Sequence, residues 1–369
     1  MSPRPLSAIV LAAGEGTRMK STRPKPLHVL CGRAMVLHIL DALAELPLDR
    51  AVVVVGHAAE RVSKALTEQA KPDLPIEFVE QHVQRGTGDA VAVALTAFPD
   101  DLTDPDAEDG DLLVLPGDTP LLRPQTLAAL VKAHRQSDAA ATLLTAVLED
   151  PTGYGRVVRG KDERVRRVIE HKDATEEERL IDEVNTSIYC FRRSVLAPAL
   201  RRLTPDNAQG EYYLTDVIGV LHDAGYNVVS MVAADPMETA GINDRAQLAA
   251  AEAELRDRTN DRWMLQGVTM LDPERTYIDA TVTLAKDVTL FPGTVLQGAT
   301  VVEEGAEIGP DTRLVDCTVR AGAVVEQTVG RMAEIGAGAT VGPFASLAPG
   351  SRVAPGAVTG PFFAGASEE

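Results

Sequence analysis

Leu11-Ala12-Ala13-Gly14-Glu15-Gly16-Thr17-Arg18-Met19 follows an apolar run at 8–11 and precedes Pro24-Lys25-Pro26. The run reads as a buried strand. Two small residues and two glycines then uncover the backbone, so its N–H groups are free to point at a phosphate chain. Arg18, Lys20, Arg23 and Lys25 place four cations within eight residues of an otherwise acidic chain. The stretch is not a dinucleotide fingerprint, because no third glycine follows Gly14 and Gly16. Nor is it a Walker A loop, since no Ser or Thr follows Lys25. A lone Gly-x-Gly is often an ordinary turn; the cations beside it make a nucleoside triphosphate the expected occupant.

Working outward, apolar runs at 8–11, 51–55, 76–79, 112–115, 140–147, 184–191 and 228–232 read as strands. They alternate with amphipathic segments at 34–46, 60–69, 89–97, 124–135, 194–203 and 212–224 that read as helices. Such alternation predicts an α/β domain with a parallel or mixed sheet covered on both faces. Ligands of such sheets gather at the carboxyl ends of strands. The Gly14 loop, Gly117-Asp118 and Asn185 all follow or close strand runs.

Residues 246–262 read as a connecting helix. A six-residue period then begins: Ile278, Leu284, Leu290, Leu296, Val302, Ile308 and Leu314. Four positions after each stands Val282, Val288, Thr294, Thr300, Ala306, Thr312 or Thr318. After a phase slip the period resumes at Ile335, Val341, Leu347 and Val353. This hexapeptide repeat predicts a parallel β-helix, in which every sixth side chain stacks into one core. The expected organisation is a first domain over 1–245, a linker helix over 246–264, a β-helix over 265–358 and a frayed tail over 359–369. A homotrimer packed along the β-helix is a further expectation; sedimentation at the monomer mass would remove it.

The net charge of −18 on 369 residues argues against a nucleic-acid polymer or an anionic membrane as partner. Cys31, Cys190 and Cys317 are odd in number and widely spaced. They form no disulfide framework, and each reads as apolar filler in a reducing cytoplasm. No 18-residue apolar stretch or signal-peptide core is present, so no membrane association is expected.

Other polar stretches are individually weak. Gln81, with Gly86 and Thr87 at a helix start, offers the donor and acceptor needed to read a pyrimidine edge, although a plain helix cap is commoner. Asp118 closes an aliphatic strand and suits Mg²⁺, with Asn243 as the candidate second oxygen; the commoner fate of Gly-Asp is a turn. Gly153-Tyr154-Gly155-Arg156, Glu170-His171-Lys172 and Glu183-Val184-Asn185-Thr186 hold groups that suit sugar hydroxyls and an acetamido group, but taken singly they read as surface polars.

Together these stretches resemble the bacterial bifunctional N-acetylglucosamine-1-phosphate uridylyltransferase / glucosamine-1-phosphate acetyltransferase family. The matching motifs run from Leu11–Met19 through Lys25, Gln81, Gly117-Asp118, Glu170-His171-Lys172-Asp173-Ala174-Thr175, Asn185 and Asn207-Ala208-Gln209-Gly210-Glu211-Tyr212-Tyr213 to Gly241-Ile242-Asn243. The resemblance implies a Rossmann-like nucleotidyltransferase domain with a mixed sheet, then a short left-handed parallel β-helix. It also implies that Leu11, Ala12, Ala13, Gly14, Gln81, Gly86 and Thr87 hold uridine, with Gly117 beside them. Arg18 and Lys25 would contact phosphates. Gly155, Glu170 and Asn185 would hold N-acetylglucosamine, and Asp118 and Asn243 would bind Mg²⁺. The implied reaction joins UTP and N-acetylglucosamine 1-phosphate into UDP-N-acetylglucosamine, a peptidoglycan precursor. Alternatives are a nucleotidyltransferase for another sugar phosphate or nucleotide, and a non-catalytic sugar-nucleotide-sensing trimer. Two departures stand out. Asp89 occupies the place of a family His. Ala348 replaces the family's Arg before Pro-Gly, and the family's chains continue beyond this one, so no acetyltransferase activity is expected.

Overall fold

The computed structural model describes residues 4–98 and 109–366. They divide into two units: residues 1–28 with 34–247, and residues 29–33 with 248–369.

In the first unit, β1 (Leu6–Leu11), β2 (Arg50–Val55), β3 (Ile76–Glu80), β4 (Asp111–Pro116), β5 (Ala141–Val147), β8 (Glu183–Arg192) and β9 (Val228–Val232) form one sheet in the order β9-β5-β8-β4-β1-β2-β3. β6 (Gly155–Arg159) and β7 (Val165–Ile169) extend it, β6 pairing with β8. The sheet is mixed. β1 runs parallel to β2 and β4, whereas β8 runs antiparallel to β4 and β5. The central strands are aliphatic throughout because both faces are covered. On one face lie α1 (Met35–Leu43), α2 (Ala59–Gln69) and α4 (Pro124–Gln136) over Val10, Val53 and Leu113. On the other lie α3 (Thr87–Ala94), α6 (Arg193–Leu200) and α7 (Asp216–Asp223) over Ile9, Val52 and Val114. Between β7 and β8 the short α5 (Glu176–Arg179) begins with a capping box of Thr175 and Glu178. The helix expected from 212 starts at Asp216, because the residues before it form the loop that meets α3.

The linker is α8 (Arg245–Leu265). In the second unit, two- and three-residue strands stack into three parallel ladders, and the hexapeptide repeat closes as a left-handed parallel β-helix. Leu284 stacks on Val302, Val302 on Val319, Val319 on Ile335, and Ile335 on Val353.

The phase slip has a structural form. The inward positions after Leu314 are Val319, Val325, Gly330 and Ile335, so three of the four steps span five residues. The shortened step moves the second inward position from the expected Thr318 to Cys317, which is fully buried. Thr294, Thr300, Thr312 and Thr328 are also fully buried. Their hydroxyls donate to carbonyls of their own turns, as Thr294 does to Phe291 O at 2.7 Å, so no hydroxyl is stranded. Gly330 fills an inward place with little room: a Cβ there would sit 3.0 Å from Leu314 Cδ2 and 3.3 Å from Cys317 Sγ. Gly330→Val is therefore expected to overpack the core and cost about 1–3 kcal/mol. A thermal melt with unchanged Tm would count against this packing account.

The chain does not fray at 359. Thr359 N–H donates to Thr340 O at 2.9 Å, Phe362 stacks on Phe344 at 5.3 Å, and Ala364–Gly365 pairs in parallel with Ser346–Leu347. Residues 359–366 continue the coil because each turn offers the next an unpaired strand edge; residues 367–369 of the expected tail lie outside the described residues. No helix of the described residues is long and apolar enough to cross a membrane. All three cysteines are buried and unbridged, and burial pushes each thiol up.

Candidate active site

The strand order reverses between β1 and β4, the position at which open α/β sheets collect ligands. Leu11 pairs opposite Pro116, and Gly117 N–H donates to Leu11 O at 2.8 Å. A Cβ on Gly117 would lie 2.8 Å from that oxygen, so glycine lets the two loops run side by side. A Cβ on Gly14 would meet nothing within 4 Å, so this part of the loop faces open space.

The short helical turn Lys25–Leu27 brings one cation to the floor of this cleft. The Lys25 ammonium bonds the Asp118 carboxylate and donates to Asn243 Oδ1 at 3.0 Å. Arg18 Nη2 donates to the same Asn243 oxygen at 2.9 Å. The loop that carries Asn243 is held by Ile242 N–H donating to Asp118 O at 2.9 Å. The Lys25 and Asp118 side chains are only 14% and 24% exposed, so water screens their attraction less than it would a surface pair.

Gln81, 5% exposed, follows β3. Its Nε2 donates to Asp89 Oδ2 at 2.8 Å and to Gly86 O at 3.3 Å. Gly86 caps α3 with φ 109°, and a Cβ there would meet Tyr212 O at 2.6 Å. Thr87 turns its hydroxyl oxygen to Leu214 N–H at 3.0 Å.

At the other end of the cleft, a bulge in β8 leaves Thr186 and Ser187, the latter at φ 61°, out of register just after Asn185, which still pairs with Thr145. Asn185 Nδ2 donates to Tyr189 Oη at 2.8 Å, while its Oδ1 is buried without a hydrogen-bond partner. Glu170 follows β7 and accepts from the Thr215 hydroxyl at 3.1 Å. Burial pushes its carboxyl up, and the charges of Asp216, Asp173 and Glu211 add to this. Burial, then the Asp118 charge, also pushes the Tyr154 phenol up.

One cleft thus collects Leu11, Ala12, Ala13, Gly14 and Lys25 with Gln81, Gly86 and Thr87. It also takes Gly117 and Asp118, then Glu170, Asn185 and Asn243. Two expected residues are not in its wall. Arg18 reaches the group through Asn243. Gly155 pairs with Asn185 in the sheet, where a Cβ would meet Val168 Cγ1 at 3.1 Å. Its neighbour Tyr154 lines the cleft instead. Sequence reasoning also passed over Gln84, whose Nε2 donates to Ala13 O at 2.6 Å, and Tyr189. The signal for Gln84 was its place in the loop of Gln81.

Among the described residues no group of three or more His, Cys, Asp or Glu side chains is placed to hold a metal. Asp118 and Asn243 nevertheless turn oxygens to one cationic group. Two hard oxygen donors in the wall of the cleft fit Mg²⁺, which takes few protein ligands and completes its shell with phosphates and water.

Fold and cleft define a nucleotidyltransferase, and residues 8–216 match the MobA-like NTP transferase domain. Similar proteins include the bifunctional protein GlmU of Streptomyces coelicolor, 49% identical over 334 residues that cover 90% of this chain and 67% of that protein. That of Desulfitobacterium hafniense is 47% identical over 331 residues, 89% of this chain and 70% of that protein. That of Thermobifida fusca is 47% identical over 337 residues, 90% of this chain and 68% of that protein. The chain belongs to the GlmU family and is a sugar-1-phosphate nucleotidyltransferase.

Proposed function

We propose that the enzyme transfers the uridylyl group of UTP to N-acetylglucosamine 1-phosphate, releasing pyrophosphate and forming UDP-N-acetylglucosamine. The observation that carries this reading is the Lys25 ammonium joined to both Asp118 and Asn243 beside the open Gly14 loop. It sets a cation and two oxygen ligands where a triphosphate entering that loop would lie.

A sugar 1-phosphate oxygen attacks the α-phosphorus of UTP. The new P–O bond forms as the α–β bridging bond breaks, and the electron pair leaves with pyrophosphate. This reaction asks the protein for positioning and charge neutralisation, with little covalent chemistry. Lys25 and Arg18 supply positive charge to the phosphate oxygens. Leu11 to Gly14 hold the nucleotide, Ala13 and Gly14 by backbone N–H groups and Leu11 and Ala12 as its wall, since Ala12 N–H is already given to Val54 O at 2.9 Å; Gln81, Gly86 and Thr87 meet the base. Asn185 Oδ1, a buried acceptor without a partner, takes a donor from the acceptor sugar, and Glu170 takes its hydroxyls. Gly155 shapes this end by letting β6 approach Asn185. Asp118 and Asn243 would hold Mg²⁺, which when bound neutralises phosphate charge and orients the oxygens.

Acetyl transfer is proposed to be absent, on the residue that stands at Ala348. Release of CoA from acetyl-CoA in the presence of glucosamine 1-phosphate would overturn that part. A cytoplasmic homotrimer belongs to the same proposal and rests on the repeat.

The testing experiment measures pyrophosphate release across UTP, CTP, dTTP and ATP against several sugar 1-phosphates, with and without Mg²⁺. Turnover is expected only with Mg²⁺, and best with UTP and N-acetylglucosamine 1-phosphate. UTP binding without turnover on any sugar phosphate would replace the enzyme reading by a sensor.

A further inference from the structure

Asp89 lies behind Gln81, outside the cleft wall, and its two carboxylate oxygens have separate tasks. Oδ1 pairs with Arg85 Nη2 at 2.9 Å, and Oδ2 accepts from Gln81 Nε2 at 2.8 Å. Gly86 O accepts from the same Nε2 at 3.3 Å. A glutamine amide has a donating end and an accepting end, and its orientation is set by its hydrogen-bond partners. Here both partners behind it are acceptors, a carboxylate paired with Arg85 and a backbone carbonyl. Turning the amide round would set Oε1 against a carboxylate and a carbonyl and take from Asp89 Oδ2 its donor, while Gly86 O would keep only its bond from Ala90 N–H at 3.2 Å. The donating end is therefore fixed inward. Oε1 is left to the cleft, and no described donor engages it.

We propose that Asp89 is a positioning residue for base selection: it locks Gln81 as a hydrogen-bond acceptor toward the base. Uracil has one donor on its pairing edge, the ring N3–H, and a fixed acceptor takes it. Cytosine held in the same position turns a lone pair at N3 to the same oxygen, and two acceptors face each other. A freely turning glutamine would serve either ring. The lock thus selects an imide base, uracil or thymine, against cytosine. The inference rests on the reading that Gln81 meets the base.

The test compares kcat and KM for UTP and CTP in the wild type, Asp89→Asn, Arg85→Ala and Gln81→Ala. Asp89→Asn keeps the shape but gains a donor, so Gln81 can turn. It is expected to lower the UTP-to-CTP ratio of kcat/KM about tenfold, the scale of one misdirected hydrogen bond in a buried site. The change should fall mainly on KM for UTP, with kcat near wild type. Arg85→Ala leaves the carboxylate in place and is expected to keep most of the ratio. An unchanged ratio in Asp89→Asn with a collapsed ratio in Gln81→Ala would overturn the lock alone. An unchanged ratio in both would overturn the reading of Gln81 as the base contact, and the lock with it. If Asp89→Asn folds poorly, Arg85→Ala still decides: this carboxylate-retaining variant keeps most of the ratio if the lock holds, and a loss of selectivity as full as that of Gln81→Ala contradicts the proposal.

Discussion

Lys25→Ala is expected to lower kcat/KM for pyrophosphate release by about 30- to 1000-fold, the roughly 2–4 kcal/mol that one preorganised electrostatic group supplies to a transition state. Lys25 is the side chain that touches both Asp118 and Asn243 on the cleft floor. Its charge is confined, with the side chain only 14% exposed, and so acts at lower dielectric than a surface lysine. Negative charge builds on the bridging oxygen as the α–β bond breaks, so the loss should fall mostly on kcat. A second readout separates this from general damage. Without the ammonium, Asp118 loses a competing cation, so the Mg²⁺ concentration giving half-maximal rate should fall even as the rate drops. An alanine variant with near-wild-type kcat would remove the role assigned to Lys25.

Much of this site is legible in the sequence because its parts are local. A loop of small residues after an aliphatic strand, or an Asp closing another, is written in contiguous residues whose geometry follows from strand periodicity. The hexapeptide repeat is legible for the same reason: each inward residue is fixed by a step along the chain. Where the step changes, legibility fails. Nothing in the six-residue period points to Gly330; only the shortened steps make it an inward residue packed on Leu314 and Cys317. Pairings across long separations are equally hidden. Neither the orphaned Oδ1 of Asn185 nor the seating of Gln81 on Asp89 follows from a motif, since each depends on a bulge or a helix start placed by tertiary packing. Gly155 is legible as part of a motif, but its place in the sheet as the close backbone neighbour of Asn185 is not.

Glu170→Gln is expected to raise KM for the sugar 1-phosphate about ten- to a hundredfold while making the fold more stable at neutral pH. The first effect follows from losing a charged acceptor, since hydrogen bonds to a charged group contribute about 1.5–3 kcal/mol. The second follows from the carboxyl's surroundings. Burial raises its pKa first, and the charges of Asp216, Asp173 and Glu211 raise it further; the Thr215 hydroxyl offsets only part of this. A raised pKa means that the folded protein holds this proton more tightly than the unfolded chain. The contribution to stability is thus fully present below the ordinary carboxyl pKa and is lost as pH rises through the raised value. At neutral pH the ionised Glu170 opposes folding, and a neutral amide relieves that opposition. Tm of the variant should exceed wild type near pH 7, with the difference closing on acidification. The same shift sets an activity limb. In the wild type, KM for the sugar phosphate should begin to rise on acidification from above the usual carboxylate range, as the acceptor takes up its proton. The variant should lack this limb, and KM for UTP should be unaffected in both. A variant that keeps the wild-type KM and its acid limb would exclude Glu170 from sugar binding. One that gains no stability near pH 7 would show that the buried charge is compensated in the folded state.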